Sequence, residues 1–202
     1  MHTERDGRPI GRRATRLASV ALALAVAGIL VGCGGSVSGS SSSGNSAEEY
    51  VAGACSAMAS WGQDIKSGVS ELQSKVTSAP DLAARKQIFV DFTKQLSQTT
   101  DTLVTELQGL GAPAVDGGAE VHQQIVGAFQ SVQATLKNAE TEAEALPTDD
   151  VAAFKTQVNA IGTEIGGIGD AFQNVSNLKN QELDNAFSKD QTCQQMQTIF
   201  SS

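Results

Sequence analysis

The stretch "PDLAARKQIFVDFTKQLSQTTDTLVTELQGL", Pro80 to Leu110, decides the fold class. Within it Leu82, Phe89, Leu96, Leu103 and Leu110 recur every seven residues, and Ile88, Phe92 and Leu107 widen the same stripe. A repeat close to two helical turns gathers these side chains on one face of a helix, whereas a strand would need alternation. Ser78-Ala79-Pro80-Asp81 reads as its start, with a hydroxyl cap, Pro in the first turn and an acid at the third helical position. "GLGAPAVDGG", Gly109 to Gly118, ends it with two candidate C-cap glycines and a turn.

The same period extends to both sides. Ala47 to Thr77 places Val51, Met58, Ile65 and Leu72 on one row and Cys55, Gly62, Val69 and Val76 on its companion. Ala119 to Leu146 lines up Ile125, Val132, Ala139 and Leu146 beside Phe129, Leu136 and Ala143. A fourth segment carries Val151, Val158, Ile165 and Phe172 against Phe154, Ile161, Ile168 and Val175, introduced by Pro147-Thr148-Asp149-Asp150 as a hydroxyl cap with two acids. Its rows fail near Lys179, which places a break around 176–181. Aromatics make up only 4% of the chain and β-branched clusters are few, so the core is expected to be aliphatic and helical, with no strand. Four helices of about thirty residues with short connections predict an all-α, antiparallel four-helix bundle. Pro and Gly punctuate the chain often enough that the heptads do not compel an intermolecular coiled coil.

The first 46 residues differ in composition from this body. Residues 1–16 are basic, and "LASVALALAVAGILV", Leu17 to Val31, is apolar over 15 residues. At ~1.5 Å per residue this run reaches about 22 Å, short of a ~30 Å hydrocarbon core, and so suits a signal peptide better than a span. Leu30-Val31-Gly32-Cys33 follows and resembles the bacterial lipobox at every position. That resemblance implies a diacylglycerol thioether on Cys33, cleavage between Gly32 and Cys33, and a mature protein held on the outer face of the cytoplasmic membrane. A plain secretory signal and an uncleaved anchor are the alternatives. Arg12-Arg13 lacks the Phe-Leu that usually follows a twin-arginine pair, which favours the general secretory route. "GGSVSGSSSSGNS", Gly34 to Ser46, cannot bury enough apolar surface to offset its ordering entropy. The expected organisation is a leader over 1–32, a lipidated Cys33 with a tether over 33–46, and a helical domain over 47–202.

Beyond Cys33 the chain holds nine basic and twenty acidic residues. A body so acidic repels phosphate backbones and anionic headgroups alike, which argues against nucleic acid as a partner. Export would place Cys55 and Cys193 in an oxidising compartment, where an isolated pair is expected to form a disulfide. A straight helix from Asp149 to Cys193 would run ~66 Å, whereas Cys55 lies only ~33 Å from the same end of the bundle. The C-terminal segment must therefore fold back. Ser188 and Gln191 mark the expected start of a short last helix, with Cys193, Met196, Ile199 and Phe200 inward and Leu183 and Phe187 packing the bend. "YVAGACSAMASW", Tyr50 to Trp61, together with "ELDNAFSKDQTCQQM", Glu182 to Met196, resembles small exported helical proteins of high-GC Gram-positive bacteria. This resemblance implies a fold and a disulfide, and no activity.

Catalytic chemistry finds little to stand on. His122 is the one histidine after Cys33, without a second His or a nearby Cys to complete a metal site. No G-x-S-x-G stretch exists. Glu140, Glu142, Glu144, Asp149 and Asp150 form an acidic helix end without the oxygen-rich loop that calcium needs. "AIGTEIGGIGDAF", Ala160 to Phe172, breaks a local rule, because Gly162, Gly166, Gly167 and Gly169 interrupt a helical pattern at about 1 kcal/mol each. Gly162, Gly166 and Gly169 are read as a close helix approach, as a ligand cleft or hinge, or as a loop. The sequence therefore points to a non-enzymatic, membrane-anchored envelope lipoprotein that needs no cofactor or metal and acts through protein contacts. The alternative is a carrier of a small apolar ligand between the helices.

Overall fold

The computed structural model describes residues 44–168 and 179–201, with side chains as far as Met196. Six helices account for most of these residues: α1 Ala47–Ser78, α2 Leu82–Leu110, α3 Gly118–Glu144, α4 Val151–Gly166, α5 Gln181–Lys189 and α6 Gln191–Ser201. The protein is an all-α bundle of four main helices and two short C-terminal ones, closed by a Cys55–Cys193 disulfide. Among the described residues no helix is long and apolar enough to cross a membrane.

Helix α2 lies along both α1 and α3, α4 lies along α3, and α5 and α6 lie along α1. The α1–α2 register is antiparallel: Gly53 meets Leu110, Trp61 meets Thr100 and Gly68 meets Phe92. With neighbours on two sides, α2 buries more than its heptad stripe. Leu96, Leu103 and Leu107 are buried as their spacing predicts, and Val90, Thr93, Ser97, Thr100 and Val104 are buried beside them. The two buried threonines cost little, because each hydroxyl donates one turn back along the helix. Thr93 Oγ1 reaches the Phe89 carbonyl at 3.0 Å, and Thr100 Oγ1 reaches the Leu96 carbonyl at 2.8 Å.

The caps differ from those read in the sequence, in a consistent way. Asp81, not Ser78, caps α2, accepting from the Ala84 N–H at 2.8 Å, and α1 runs on through Ser78. Asp150, not Thr148, caps α4 through the Ala152 and Ala153 N–H groups. Asp190, not Ser188, accepts from the Cys193 N–H at 2.9 Å at the head of α6. A carboxylate satisfies orphan donors as a hydroxyl does and also interacts favourably with the positive end of the helix dipole. The bend expected before the last helix contains a helix of its own, α5, capped by Asn180. Leu183 packs there as expected, and Phe187 is half-buried. Ile199 and Phe200 have side chains outside the described residues, as do Phe172 and Val175.

The turn between α2 and α3 depends on glycine. Gly111 closes α2 at φ 64° and Gly117 precedes α3 at φ 69°, a region that side chains with a Cβ rarely enter. A Cβ on Gly118 would collide with the Pro113 carbonyl. Asn45 docks on this turn from the other end of the chain: its Nδ2 donates to the Leu110 carbonyl at 2.9 Å, and its own carbonyl accepts from the Ala114 N–H at 2.8 Å. Ser46 and Glu49 then form a reciprocal capping box at the start of α1. The last residues of the Gly/Ser segment are thus part of the bundle.

The disulfide spans 138 residues and both sulfurs are buried, at 1% and 0% exposure. Removing it by paired Cys55→Ala and Cys193→Ala substitutions is expected to lower unfolding free energy by about 2–5 kcal/mol. Urea unfolding of the variant beside the native chain measures this, and a loss under about 1 kcal/mol would show that packing alone holds the C-terminal helices.

Candidate functional site

Polar and aromatic side chains with specific partners converge at the end of the bundle that carries the disulfide. Because α1 runs antiparallel to α2, and α2 to α3, the first turns of α1 and α3 lie at the same level. Tyr50 is in the first turn of α1 and His122 is just beyond the first turn of α3, and the two meet. The Tyr50 hydroxyl lies 3.2 Å from His122 Nδ1, and the rings stand edge to face with centroids 5.8 Å apart. Tyr50 is only 2% exposed, and burial pushes its hydroxyl up to about 12. The hydroxyl therefore keeps its proton at neutral pH, and where it donates to Nδ1 the proton of the neutral ring sits on Nε2. Burial holds His122 below its ordinary 6.5.

Three turns further along α1, Trp61 Nε1 donates to Thr100 Oγ1 at 2.9 Å, and its indole stands edge to face with Phe129 at 5.7 Å. Since Thr100 Oγ1 passes its own proton to the Leu96 carbonyl, this relay ends on backbone. The Thr100 hydroxyl has no base beside it, and Tyr50, whose hydroxyl has His122, is only 2% exposed, so both pairs are read as contacts that join helices. Beside it a shallow groove of about 150 Å³ opens between α1 and α2, with Ala57, Trp61 and Leu103 on its floor and Asp64 and Glu106 among its other lining residues.

The remaining candidates are placed as follows. Cys33 and the Gly32–Cys33 bond lie outside the described residues, as does Gly169. Cys55 and Cys193 are joined, with Cα atoms 5.0 Å apart. Gly162 and Gly166 lie within α4 but are exposed, and a Cβ built on either would meet nothing within 4 Å. No described neighbour makes the close approach read from their spacing. The reason is helical phase: Phe154, Val158, Ile161 and Ile165 form the inward stripe, and Gly162 and Gly166 each sit about 100° past one of its members. The described part of α4 closes at Gly167, which is earlier than the heptad rows imply.

Two acids of the acidic helix end, Glu144 and Asp150, have structural partners. Glu144 pairs with Lys94 at 3.0 Å, with both side chains about half exposed, and Asp150 caps α4. The Lys94 ammonium is shifted upward by its hydrogen bond to Glu144, then by that carboxylate's charge. At such exposure the pair adds little to stability. Among the described residues no three His, Cys, Asp or Glu side chains gather closely enough to hold a metal ion. No protein-family model, curated protein or solved structure matches the chain.

The Tyr50–His122 pair was not read from the sequence, because the partners are 72 residues apart. The available signal was topological: one tyrosine and one histidine at matching depth in the two helices that a four-helix bundle makes parallel. The glycine geometry yields a test. Gly162→Ala is expected to raise stability by about 0.5–1 kcal/mol, since the methyl enters open space and the helix gains propensity. Gly53→Ala is expected to lower it, because its Cβ would lie 2.5 Å from Leu110 Cδ2. Thermal unfolding of both variants reads the two signs, and a destabilised Gly162→Ala would restore the close-packing view.

Proposed function

We propose that this protein is a non-enzymatic lipoprotein, anchored through an acylated Cys33 on the outer face of the cytoplasmic membrane, that acts by contacting other proteins of the cell envelope. The observation that carries this reading is the unbroken lipobox Leu30-Val31-Gly32-Cys33 at the end of an apolar run too short to be a comfortable span. The composition of Gly34 to Ser43 suits a tether between anchor and body. A buried disulfide supports an oxidising compartment, since reducing compartments rarely preserve one. Two or more acyl chains, at about 0.8 kcal/mol per buried CH₂, would hold the body firmly even though its charge repels anionic lipid.

Among the described residues, volume favours protein contact over small-ligand carriage. Pockets for drug-sized ligands run to roughly 300–1,000 Å³. The groove between α1 and α2 offers about 150 Å³, and Gly162 and Gly166 line open solvent instead of a cleft between helices. The polar clusters with defined geometry serve as helix contacts, which leaves the acidic outer faces of the helices for recognition. Their charge suits a partner with a basic surface.

Metabolic labelling with a clickable fatty acid tests the anchor. The native chain is expected to take up label and fractionate with membranes, while Cys33→Ser loses both. Equal labelling of the two chains, or a mature N-terminus elsewhere than Cys33, overturns the reading. Crosslinking of the native, membrane-held protein followed by identification of its neighbours then separates a protein partner from a co-extracted small molecule.

A further inference from the structure

We propose that Tyr50 and His122 form a pH-sensitive latch that holds the N-terminal end of α1 against α3 at neutral pH and releases it on mild acidification. The latch rests on one hydrogen bond, in which the Tyr50 hydroxyl donates to His122. Tyr50 is 2% exposed and has His122 Nδ1 at 3.2 Å, and a hydroxyl that donates to this nitrogen needs it unprotonated. Adding a proton to Nδ1 sets a donor against a donor beside the buried Tyr50 ring. The imidazolium can then keep its place only if the hydroxyl turns its own proton into apolar surroundings, which costs an unsatisfied buried donor.

The charged groups on the elements around this end are mostly carboxylates. The first turn of α1 offers Glu48 and Glu49, the turn before α3 offers Asp116, and α3 itself offers Glu120. The C-terminal half of α2 carries Asp101 and Glu106, and α5 and α6 bring Glu182, Asp184 and Asp190. No lysine or arginine occurs between residues 44 and 65, 95 and 110, or 111 and 136, and the nearest ones in the C-terminal pair are Lys179 and Lys189 at the flanks of α5. Glu49 is held by the Ser46 N–H at 2.9 Å and Glu120 by Gln124 at 3.2 Å, but both remain exposed carboxylates. His122 is itself only half-buried, so a charged ring can turn outward to solvent, away from Tyr50.

What the latch controls is the adjoining start of α1. Tyr50 is one turn into α1 from its cap Ser46, and Asn45 is fastened to Leu110 and Ala114 beside it. Loss of the Tyr50 contact frees that first turn to fray and, with it, the Asn45 attachment. The linkage has a definite sign. A histidine whose folded value lies below the ordinary 6.5 contributes stability that is fully present above 6.5 and is lost as pH falls through the folded value. The latch is closed in neutral surroundings and opens in acid. The inference does not depend on the lipoprotein reading, since it concerns the bundle alone.

Nitrogen-15 NMR of the imidazoles, with His122→Gln to distinguish His122 from His2, reads the tautomer and the titration in the full chain. Amide exchange at Ala114, corrected for the intrinsic chemical rate, reads the opening. Expected are a bare Nδ1 at neutral pH and exchange about tenfold faster near pH 5 than near pH 7.5 in the native chain. Tyr50→Phe, which keeps the ring and removes the hydroxyl, and His122→Gln are both expected to abolish that acceleration. A proton on Nδ1 at neutral pH, an absent acceleration in the native chain, or an equal acceleration in the two variants overturns the proposal.

Discussion

The bond between Cys55 and Cys193 constrains every other choice in this fold, because it requires the last part of the chain to lie beside the first helix. A helix that simply continued α4 in register would carry Cys193 far past the end of the bundle. The chain instead supplies α5 and α6, which pack along the N-terminal half of α1 and bury Leu183, Ala186 and Cys193 against Val51, Ala54 and Met58. Connecting residues so distant in sequence also limits the unfolded chain, so one covalent contact acts on both sides of the folding equilibrium. A chain with only 4% aromatics gains more from such a constraint than one with a heavily aromatic core.

The same constraint divides the core. One cluster gathers the N-terminal half of α1, the C-terminal half of α2, the start of α3 and the two short helices, and it holds Tyr50, Trp61, Phe129 and the disulfide. The second gathers the start of α2, the end of α3 and α4 around Phe89, Leu146 and Phe154. Helix α1 follows this division. Val51, Cys55 and Met58 are buried, whereas Ile65, Leu72 and Val76 of the same two rows are half-buried and Val69 is 38% exposed. A single amphipathic helix thus passes from full to partial coverage along its length, and stability is expected to follow that gradient, with the disulfide end firmer.

The helices and their order were legible because burial on a helix leaves a period, and the period survives in α1, α2 and α3 with bounds shifted by one or two residues. The disulfide was legible because the two cysteines of the helical body leave one pairing. The caps were misread in a single direction. At 78–81, at 147–150 and at 188–191 a hydroxyl and an aspartate compete for the cap within a few residues, and spacing alone does not weigh the charge that lets aspartate prevail. Gly162 and Gly166 were misread for a different reason. Their separation of four matches a close-packing pattern, but what matters is phase relative to Phe154 and Ile161, and the glycines lie to one side of that stripe. Tyr50 and His122 were out of reach of any local pattern, since neither residue signals the other until the helices are placed in parallel.

The proposed anchor and the latch meet at one end of the molecule. Ten residues lie between Cys33 and Gly44, and the eleven steps from one to the other reach about 40 Å at full extension. If Cys33 is acylated, the Asn45 attachment and the first turn of α1 cannot lie further than this from the headgroups. Anionic lipid raises the local proton concentration, but its potential fades within a Debye length of about 8–10 Å. In that arrangement the acidic body would oppose so close an approach and leave His122 responsive to bulk pH and not to the surface itself. Opening the latch would then add the residues of the frayed turn to the tether and extend the reach of the bundle, so an acid shift would alter the distance between anchor and body without breaking the disulfide that holds the rest together.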